Sequence, residues 1–290
     1  MKSKKIYLFF VIALTFLTGY QYVNMHSEDQ NEVKTMDASK RNPKKGFCVT
    51  TRQGNNWVKK LNMLNVSNHY SWGYHLKSTE PQYIEFIPMI WSTRGDVDGL
   101  QKPIEQLKDW ADEGKIHYLL GFNEPDGKKQ ANMTVDQAIA AWPMLMQPDL
   151  KLGSPACVHA ESEWMQEFMH KADSLDYRVD FITVHWYGGP NVNGFIDYLK
   201  KIYKIYHRPI WITEFAVGDW KAKQVSDNRY SPQQILSFMK DLLPKLDKLD
   251  FVKKYFWFSA STQSAALGHS ALFNEDGTLT ELGKYYSQYQ

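Results

Sequence analysis

From residue 46 onward, short apolar runs alternate with segments whose apolar residues recur at helical spacing. Several runs are nearly continuous, which is typical of parallel strands buried on both faces. Eight runs predict strands at 46–50, 67–72, 84–91, 116–122, 150–155, 179–187, 208–214 and 253–258. Seven helical patterns follow at 55–64, 100–114, 134–146, 160–174, 193–206, 231–246 and 279–289. This alternation predicts an α/β fold, a single (β/α)8 TIM-type barrel over residues 46–290.

Local signals support the helix boundaries. Thr134 and Ser231 stand at predicted N-caps, and Pro232 occupies a first helical position, where its fixed φ is favourable. The segment 73–83 has no helical period and contains Pro81, so we expect an irregular loop there instead of a crossover helix. The alternative fold is an open doubly wound sheet. That fold normally carries a glycine-rich phosphate turn after an early strand, and this sequence has none.

The N-terminus has the pattern of an export signal. Lys2, Lys4 and Lys5 precede an apolar stretch from Ile6 to about Gly19, which is shorter than the ~20 residues of a spanning helix. Residues 1–24 are therefore predicted to be a signal peptide or an N-terminal anchor, and 25–45 a flexible linker. We expect an exported protein (periplasmic, cell-surface or secreted) that contacts a membrane only through an uncleaved N-terminal segment.

Composition and charge narrow the choice of partners. The formal net charge is +2, but residues 1–45 hold eight basic and four acidic residues, so the remaining 26 basic and 28 acidic residues give the barrel −2. A protein that binds nucleic acid needs a basic face, so no nucleic-acid partner is expected. Aromatic residues make up 14% of the chain, with ten Trp. Sugar-binding clefts use such flat rings, although they also pack barrel cores.

Two acidic residues stand where predicted strands end. Glu124 follows the apolar run 116–122, and Glu214 ends the run 208–214. The carboxyl ends of barrel strands share one face, and two carboxyls that meet there are the minimum equipment for cleaving a glycosidic bond. Ile210, Ile212 and Glu214 share strand parity, so we expect all three to face the barrel interior.

Further residues at the same strand ends are candidates for substrate contacts. Asn123 is placed to donate to a sugar hydroxyl, and the His185–Tyr187 pair to hydrogen-bond the nucleophilic carboxylate and keep it ionised. Trp257 is the first candidate for a ring beneath the sugar at the cleavage point. Three further cleft candidates, each of which could equally be a core residue, are Trp72, Trp91 and Trp186.

Other chemistries lack support in the sequence. There is no His-Glu-x-x-His or other metal-ligand spacing, no Gly-x-Ser-x-Gly elbow and no P-loop. Cys48 and Cys157, the two cysteines, are predicted to be buried free thiols, and they provide no Cys-based zinc site. We therefore expect no metal and no cofactor. We also expect the protein to be a monomer.

Four motifs in this order resemble glycoside hydrolase family 128: GFNEPD at 121–126, GSPA at 153–156, DFITVHWY at 180–187 and WITEF at 211–215. The resemblance covers residues 46–290. It implies a β-1,3-glucanase that retains anomeric configuration, with Glu124 as acid/base and Glu214 as nucleophile. It also implies β-glucan as the partner and assigns substrate contacts to Asn123, His185 and Tyr187. The polar 73–83 segment departs from the pattern, which leaves chain-length preference and endo or exo action open.

Two other functions remain possible. The barrel could hydrolyse a different β-linked polysaccharide, such as a mannan or a β-1,4-glucan, by the same retaining chemistry. It could also be a carbohydrate-binding protein without catalysis, because a fold does not determine a function.

Overall fold

The computed structural model describes residues 41–51 and 56–290. The predicted signal segment 1–24 and most of the predicted linker, 25–40, lie outside the described residues. No helix within the described residues is both long enough and apolar enough to traverse a bilayer. Both cysteines are buried free thiols, as predicted.

Within the described residues, eight parallel strands form a closed ring in chain order. Six of them form one sheet in the order β3-β2-β1-β8-β7-β6, and β4 pairs with β5. Parallel bridges Met89–Leu120 and Gly153–Phe181 join the pair to the sheet on both sides. Each observed strand overlaps a predicted one, and the barrel prediction is confirmed. The strands are β1 (Lys45–Cys48), β2 (Asn68–Tyr70), β3 (Glu85–Phe86), β4 (Tyr118–Leu119), β5 (Lys151–Leu152), β6 (Ile182–Trp186), β7 (Ile210–Phe215) and β8 (Val252–Trp257).

Seven α-helices in the described residues surround this ring. Each begins within three residues of the start that the sequence predicted. Thr134 and Ser231 both form capping boxes, with Gln137 and Gln234 respectively. The 73–83 segment forms no helix or strand, as expected. The helices are α1 (Asn56–Leu64), α2 (Gln101–Asp112), α3 (Val135–Met146), α4 (Glu163–Ser174), α5 (Val192–Tyr206), α6 (Pro232–Asp247) and α7 (Glu281–Gln288).

The buried apolar residues divide into two layers. The outer layer lies between the strands and the helices and includes Ile210, Ile212 and Trp257. The inner layer fills the barrel, where the rings of Phe181 and Trp211 stack 4.0 Å apart. Large side chains therefore close the lower part of the barrel, which leaves the carboxyl ends of the strands as the place for a cavity.

The predicted parity of β7 is wrong. Ile210 and Ile212 face the helices, and Trp211 faces the interior. Continued strict alternation would turn Glu214 outward with the isoleucines. The strand alternates as expected over its first three residues, but with the opposite faces from those predicted.

A β-bulge restores the inward direction of Glu214. Ile212 pairs with Val184 of β6, but Glu214, two residues later, pairs with His185, the very next residue. Thr213 is the additional residue, and the register against β8 shifts over the same stretch. An extra residue reverses the facing of everything after it. Glu214 therefore enters the barrel at the level of His185.

Residues 41–45, which the sequence assigned to the linker, belong to the barrel domain. The ammonium group of Lys44 donates to the carbonyls of Asp247 and Leu249 at the end of α6. Lys45 begins β1 and is fully buried, with its ammonium group 2.9 Å from the carbonyl of Tyr286. Amino groups suit helix C-termini as hydrogen-bond donors, because the last carbonyls there lack partners. The two lysines thus fasten α6 and α7 to the first strand.

We expect the contribution of Lys45 to stability to depend on pH. Burial lowers the pKa of Lys45 from 10.5 to about 7. Between those values the unfolded chain holds a proton that the folded chain has released, so stability rises with pH across that interval. Thermal unfolding of the wild type and Lys45→Met at pH 6, 8 and 9.5 should show the wild type gaining relative to the variant as pH rises.

The exposed Lys253 supplies the control, because Lys253→Met removes the same charge without removing a buried one. Its difference from the wild type should stay nearly constant over the same range. A constant difference for Lys45→Met as well would contradict the depressed pKa.

Candidate active site

A cavity of about 860 Å³ opens at the carboxyl ends of the strands. It is lined by every predicted site residue except Trp257. Its volume lies within the range of ligand pockets in proteins, and the strand ends are where barrel enzymes place their chemistry. The predicted site residues and this cavity therefore lie at the same end of the barrel.

The two acidic residues meet within this cavity. The potential ligand atoms of Glu124, His185 and Glu214, one carboxylate oxygen from each Glu among them, all lie within 4.8 Å of one another. Glu214 is 6% exposed. The two glutamates, ninety positions apart in the sequence, thus lie within about the width of one sugar ring.

The backbone of the site is strained at two residues. Glu124 has φ of +43° and Trp72 has φ of +55°, in the left-handed region of backbone conformation that residues other than glycine rarely adopt. Such conformations cost of the order of 1–3 kcal/mol and persist only where the surroundings enforce them. At Glu124 the enforcement comes from its amide, which donates to the carbonyl of Ala156 on the neighbouring strand at 2.7 Å.

Three hydrogen-bond donors surround the carboxylate of Glu214. The indole N–H of Trp72 donates to Oε1 at 2.7 Å, and the hydroxyl of Tyr70 to the same oxygen at 3.1 Å. The hydroxyl of Tyr187 donates to Oε2. Burial, together with the charge of Glu214, raises the pKa of both tyrosines well above the usual value, so both remain donors. Hydrogen bonds to the charged form favour an ionised carboxylate.

His185 lies between the two carboxylates. Its Nδ1 is 2.9 Å from Oε1 of Glu124, whereas its Nε2 is 3.7 Å from Oε1 of Glu214. Of the predicted His185–Tyr187 pair, only Tyr187 therefore hydrogen-bonds Glu214, and His185 hydrogen-bonds Glu124. Burial lowers the pKa of His185, but the charges of Glu214 and Glu124 outweigh it and raise the pKa above 6.5. An imidazole between two carboxylates separates their charges.

The proximity of Glu124, His185 and Glu214 would also permit cation binding. Glu214, however, already accepts three hydrogen bonds, which occupy most of the lone-pair positions that ligation to a metal needs. The tyrosine and indole donors around it suit a hydrogen-bonded anion. The donor set thus favours acid–base and nucleophilic chemistry by the carboxyl groups themselves.

Asn123 offers an unused acceptor to a ligand. It is 4% exposed, lines the cavity, and its Oδ1 is buried without a hydrogen-bond partner among the described residues. A buried polar atom without a partner costs ~1–3 kcal/mol. A bound hydroxyl could remove that cost.

The predicted tryptophans have different environments. Trp72 and Trp91 line the cavity. Trp186 reaches it as well, but its ring stacks on Phe195 at 4.4 Å and on Phe238 at 5.5 Å, so it is mainly a packing residue of the outer layer. Trp72 and Trp91 thus form part of the cavity wall, whereas Trp186 mainly packs in the outer layer of the core.

The assignment of Trp257 to the sugar platform is wrong. Trp257 is 0% exposed, and its indole N–H donates to the carbonyl of Ser270. It belongs to the outer layer because Phe256, its neighbour in β8, faces the interior. Phe258, with interior parity, lines the cavity in its place.

Besides Phe258, sequence reasoning missed other residues of the site, among them Tyr70 and Trp220. Tyr70 shares the parity of Trp72 in the predicted strand 67–72, and that signal could have identified it as a neighbour of the carboxylates. Trp220 lies in the loop after β7 and lines the cavity. Loop residues follow no periodic pattern, so no signal in the sequence indicated that Trp220 would line the cavity.

A second cavity adjoins the first. It has a volume of about 590 Å³ and is lined by the loops after β2 and β3, including Tyr74, His75 and Arg94. Trp72 and Trp91 line both cavities. The irregular 73–83 segment therefore extends the cleft on one side of the carboxylates.

Comparison with known proteins identifies the class of the chain. Residues 46–286 match the family described as the glycosyl hydrolase catalytic core. This match spans almost the whole barrel. The protein is a glycoside hydrolase.

Solved structures narrow the class further. A GH128 subgroup I endo-β-1,3-glucanase from Amycolatopsis mediterranei, in complex with laminaritriose, is 33% identical with a TM-score of 0.72, covering 85% of this chain and 99% of that chain. A GH128 subgroup VII oligosaccharide-binding protein from Trichoderma gamsii, at 19% identity and a TM-score of 0.65, shares the fold over 87% of this chain and 95% of that chain. The chain belongs to glycoside hydrolase family 128, as the motifs predicted.

A curated relative matches over a shorter region. Alkali-sensitive linkage protein 1 of Schizosaccharomyces pombe is 34% identical over 178 residues, which is 58% of this chain. The match covers 32% of that protein's length. The shared region is thus a part of a longer protein.

Removing the hydroxyl of Tyr70 tests the environment of Glu214. We expect Tyr70→Phe to lower kcat for glycoside hydrolysis about 10- to 100-fold, since a hydrogen bond to a charged group contributes ~1.5–3 kcal/mol. KM should change little, because Tyr70 is fully buried behind the carboxylate. Steady-state kinetics of the variant and the wild type on the same substrate measure both constants.

Tyr286→Phe is the matched control. Tyr286 is equally buried, and its hydroxyl donates to the carbonyl of Gly46 at 2.6 Å, away from the carboxylates. Both variants should lose stability, but only Tyr70→Phe should lose kcat. Equal losses of kcat in the two variants would assign Tyr70 a merely structural role.

Proposed function

We propose that the protein hydrolyses β-1,3-glucan by double displacement with net retention of anomeric configuration. The observation that carries the proposal is the proximity of the two carboxylates, with oxygens of Glu124 and Glu214 within 4.8 Å. Retaining enzymes have carboxyl groups ≈ 5–5.5 Å apart, whereas inverting enzymes need ≈ 6.5–9.5 Å to admit a water molecule. The separation favours direct attack by one carboxylate.

The environments of the carboxylates support different roles. The carboxylate of Glu214 accepts hydrogen bonds from three donors, which fix the direction of its oxygens as a nucleophile requires. Among the described residues, Glu124 has His185 as its single side-chain hydrogen-bond partner and is more open to the cavity. A proton donor must reach the leaving oxygen, so we assign the acid/base role to Glu124 and the nucleophilic role to Glu214.

The reaction then proceeds in two steps. In the first, Glu214 attacks the anomeric carbon, the bond to the leaving oxygen breaks, and Glu124 gives its proton to that oxygen. In the second, the ionised Glu124 takes a proton from water, which attacks the same carbon and releases Glu214. His185, between the carboxylates, stabilises the charge that moves from Glu214 to Glu124 during the first step.

Relatives and cleft shape support the choice of substrate. The Amycolatopsis endo-β-1,3-glucanase is known with laminaripentaose and laminarihexaose bound to variants in which one glutamate is replaced. In this chain two cavities share Trp72 and Trp91, so the cleft continues past the carboxylates. A continuous cleft accommodates an internal segment of a chain, and we infer endo action.

We also infer that the protein is exported. The inference rests on the basic and apolar pattern of its first 24 residues. A polysaccharide substrate outside the cell agrees with that pattern.

Substitution of each carboxylate tests the roles. Glu214→Gln and Glu124→Gln should each lower kcat on linear β-1,3-glucan by about 10³-fold or more while thermal unfolding stays near that of the wild type. The product of the wild type, followed by NMR from the first minutes, should appear first as the β-anomer. Azide should rescue Glu124→Ala as the β-glycosyl azide, because it attacks the covalent intermediate, and Glu214→Ala as the α-glycosyl azide.

Three outcomes would reject parts of the proposal. An initial α-anomer would exclude retention, and near-full activity of Glu214→Gln would exclude it as nucleophile. Activity on β-1,4-glucan or mannan exceeding that on β-1,3-glucan would change the substrate. Tight binding of laminari-oligosaccharides by the wild type without any product would make the protein a carbohydrate-binding barrel.

A further inference from the structure

Trp220 is an exposed aromatic residue inside the active-site cavity. It is 65% exposed, more than any other large hydrophobic residue that the structure describes. It lies in the loop that follows β7 and lines the cavity together with Gly188 and Leu267. Leaving an indole in water forgoes the free energy of burying it, so an exposed aromatic ring in a cleft indicates a ligand that covers it.

The ring of Trp220 is held beside the carboxylates. Its indole N–H donates to the carbonyl of Tyr187 at 3.1 Å, and its plane meets the Tyr187 ring edge-on with centroids 5.8 Å apart. The hydroxyl of Tyr187 in turn donates to Glu214. Tyr187 thus lies between the indole and the reacting carboxylate, which places Trp220 beside a neighbouring sugar ring instead of the one attacked by Glu214.

The loop of Trp220 is fixed by an ion pair between the buried carboxylate of Asp219 and the half-exposed side chain of Arg229. Asp219 is 3% exposed and accepts from Nε and Nη2 of Arg229 at 3.0 and 2.7 Å. It also accepts from the backbone amides of Arg229 and Lys221. The hydrogen bonds from Arg229 hold the pKa of the Asp219 carboxyl well below its usual range, so the pair stays charged. Bidentate pairs of this kind add geometric specificity to their energy.

The backbone of the loop lies close to the indole. A Cβ on Gly218 would lie 2.9 Å from Leu267 and 3.5 Å from the indole nitrogen of Trp220. The loop backbone therefore approaches the indole without a side chain between them. A ring that is both exposed and immobilised has already lost the conformational entropy that binding would otherwise cost.

We infer that Trp220 is a platform for a sugar ring of the glucan next to the cleavage point, and that Asp219 and Arg229 position it. The inference rests on the proposed function and adds a specificity subsite to it. The shape and polarity of the exposed indole indicate the class of ligand. A flat aromatic face complements the C–H face of a pyranose, and the polar N–H of the indole already donates to the carbonyl of Tyr187. The cavity around it provides depth for a chain and no cluster of cations for an acidic ligand.

Binding to the Glu214→Gln protein tests the platform without turnover. Calorimetric titration with laminaribiose through laminarihexaose should give affinities that rise with length. Adding Trp220→Ala should weaken the longer oligosaccharides about 5- to 30-fold, as expected when a central aromatic anchor is truncated. Trp220→Phe should recover part of the loss. Tyr83→Ala, at an aromatic residue that is 47% exposed and does not line the cavity, is the control and should leave affinity unchanged.

A double-mutant cycle tests the positioning role of the ion pair. Asp219→Asn alone should weaken binding about 3- to 10-fold, raise KM for linear β-1,3-glucan and leave kcat near that of the wild type. In the Trp220→Ala background it should cause little further loss, because the ring that it positions is gone. An undiminished loss in that background would overturn the role of Asp219.

The outcomes separate this inference from the function on which it rests. Oligosaccharide binding that is present but unaffected by Trp220→Ala overturns the platform and leaves the proposed function standing. Absence of both binding by Glu214→Gln and hydrolysis by the wild type overturns the proposed function, and the platform with it.

Discussion

One additional residue in β7 determines the direction of Glu214. Ile210 and Ile212 must face the helices, since the outer layer of the core contains them. Regular alternation would send Glu214 the same way, into an apolar layer where a carboxylate has no donors. Thr213 interrupts the alternation, and Glu214 then pairs with His185 inside the barrel. The bulge therefore allows one strand to place its isoleucines in the outer layer of the core and its glutamate inside the barrel.

Tyr70 connects that bulge to the chemistry. Its hydroxyl lies 2.9 Å from the carbonyl of Thr213 and 3.1 Å from Glu214. The same side chain thus contacts both the irregular backbone and the carboxylate that the irregularity re-aims. A buried carboxylate is expensive unless hydrogen bonds replace its hydration. Trp72 and Tyr187, which lie just beyond the ends of β2 and β6, complete that replacement by donating to the same carboxylate.

Periodicity and strand-end motifs sufficed to predict the barrel, the cavity and most residues around Glu124 and Glu214. They failed where a side chain's direction depends on tertiary packing. Alternation defines two faces but not which of them is the interior, and this ambiguity produced the errors at Ile210 and Trp257. A bulge leaves no mark in a single sequence. Trp220 was not predicted for a related reason: it lies in a loop without periodicity, next to an ion pair between residues ten positions apart in the sequence.

The site concentrates costs that the rest of the barrel must offset. Among the described residues, the buried polar side-chain atoms without hydrogen-bond partners include Asn123 Oδ1, His185 Nε2 and Thr213 Oγ1, all close to the carboxylates. Glu124 adds backbone strain. Unsatisfied polar atoms and backbone strain destabilise a fold, so their concentration in one place indicates that they serve a function. Two of these atoms, on Asn123 and His185, belong to cavity-lining residues, where the hydroxyls of a sugar can supply the missing partners. The site is therefore arranged for a ligand that completes its hydrogen bonding, and the large outer layer of the core offsets the destabilisation.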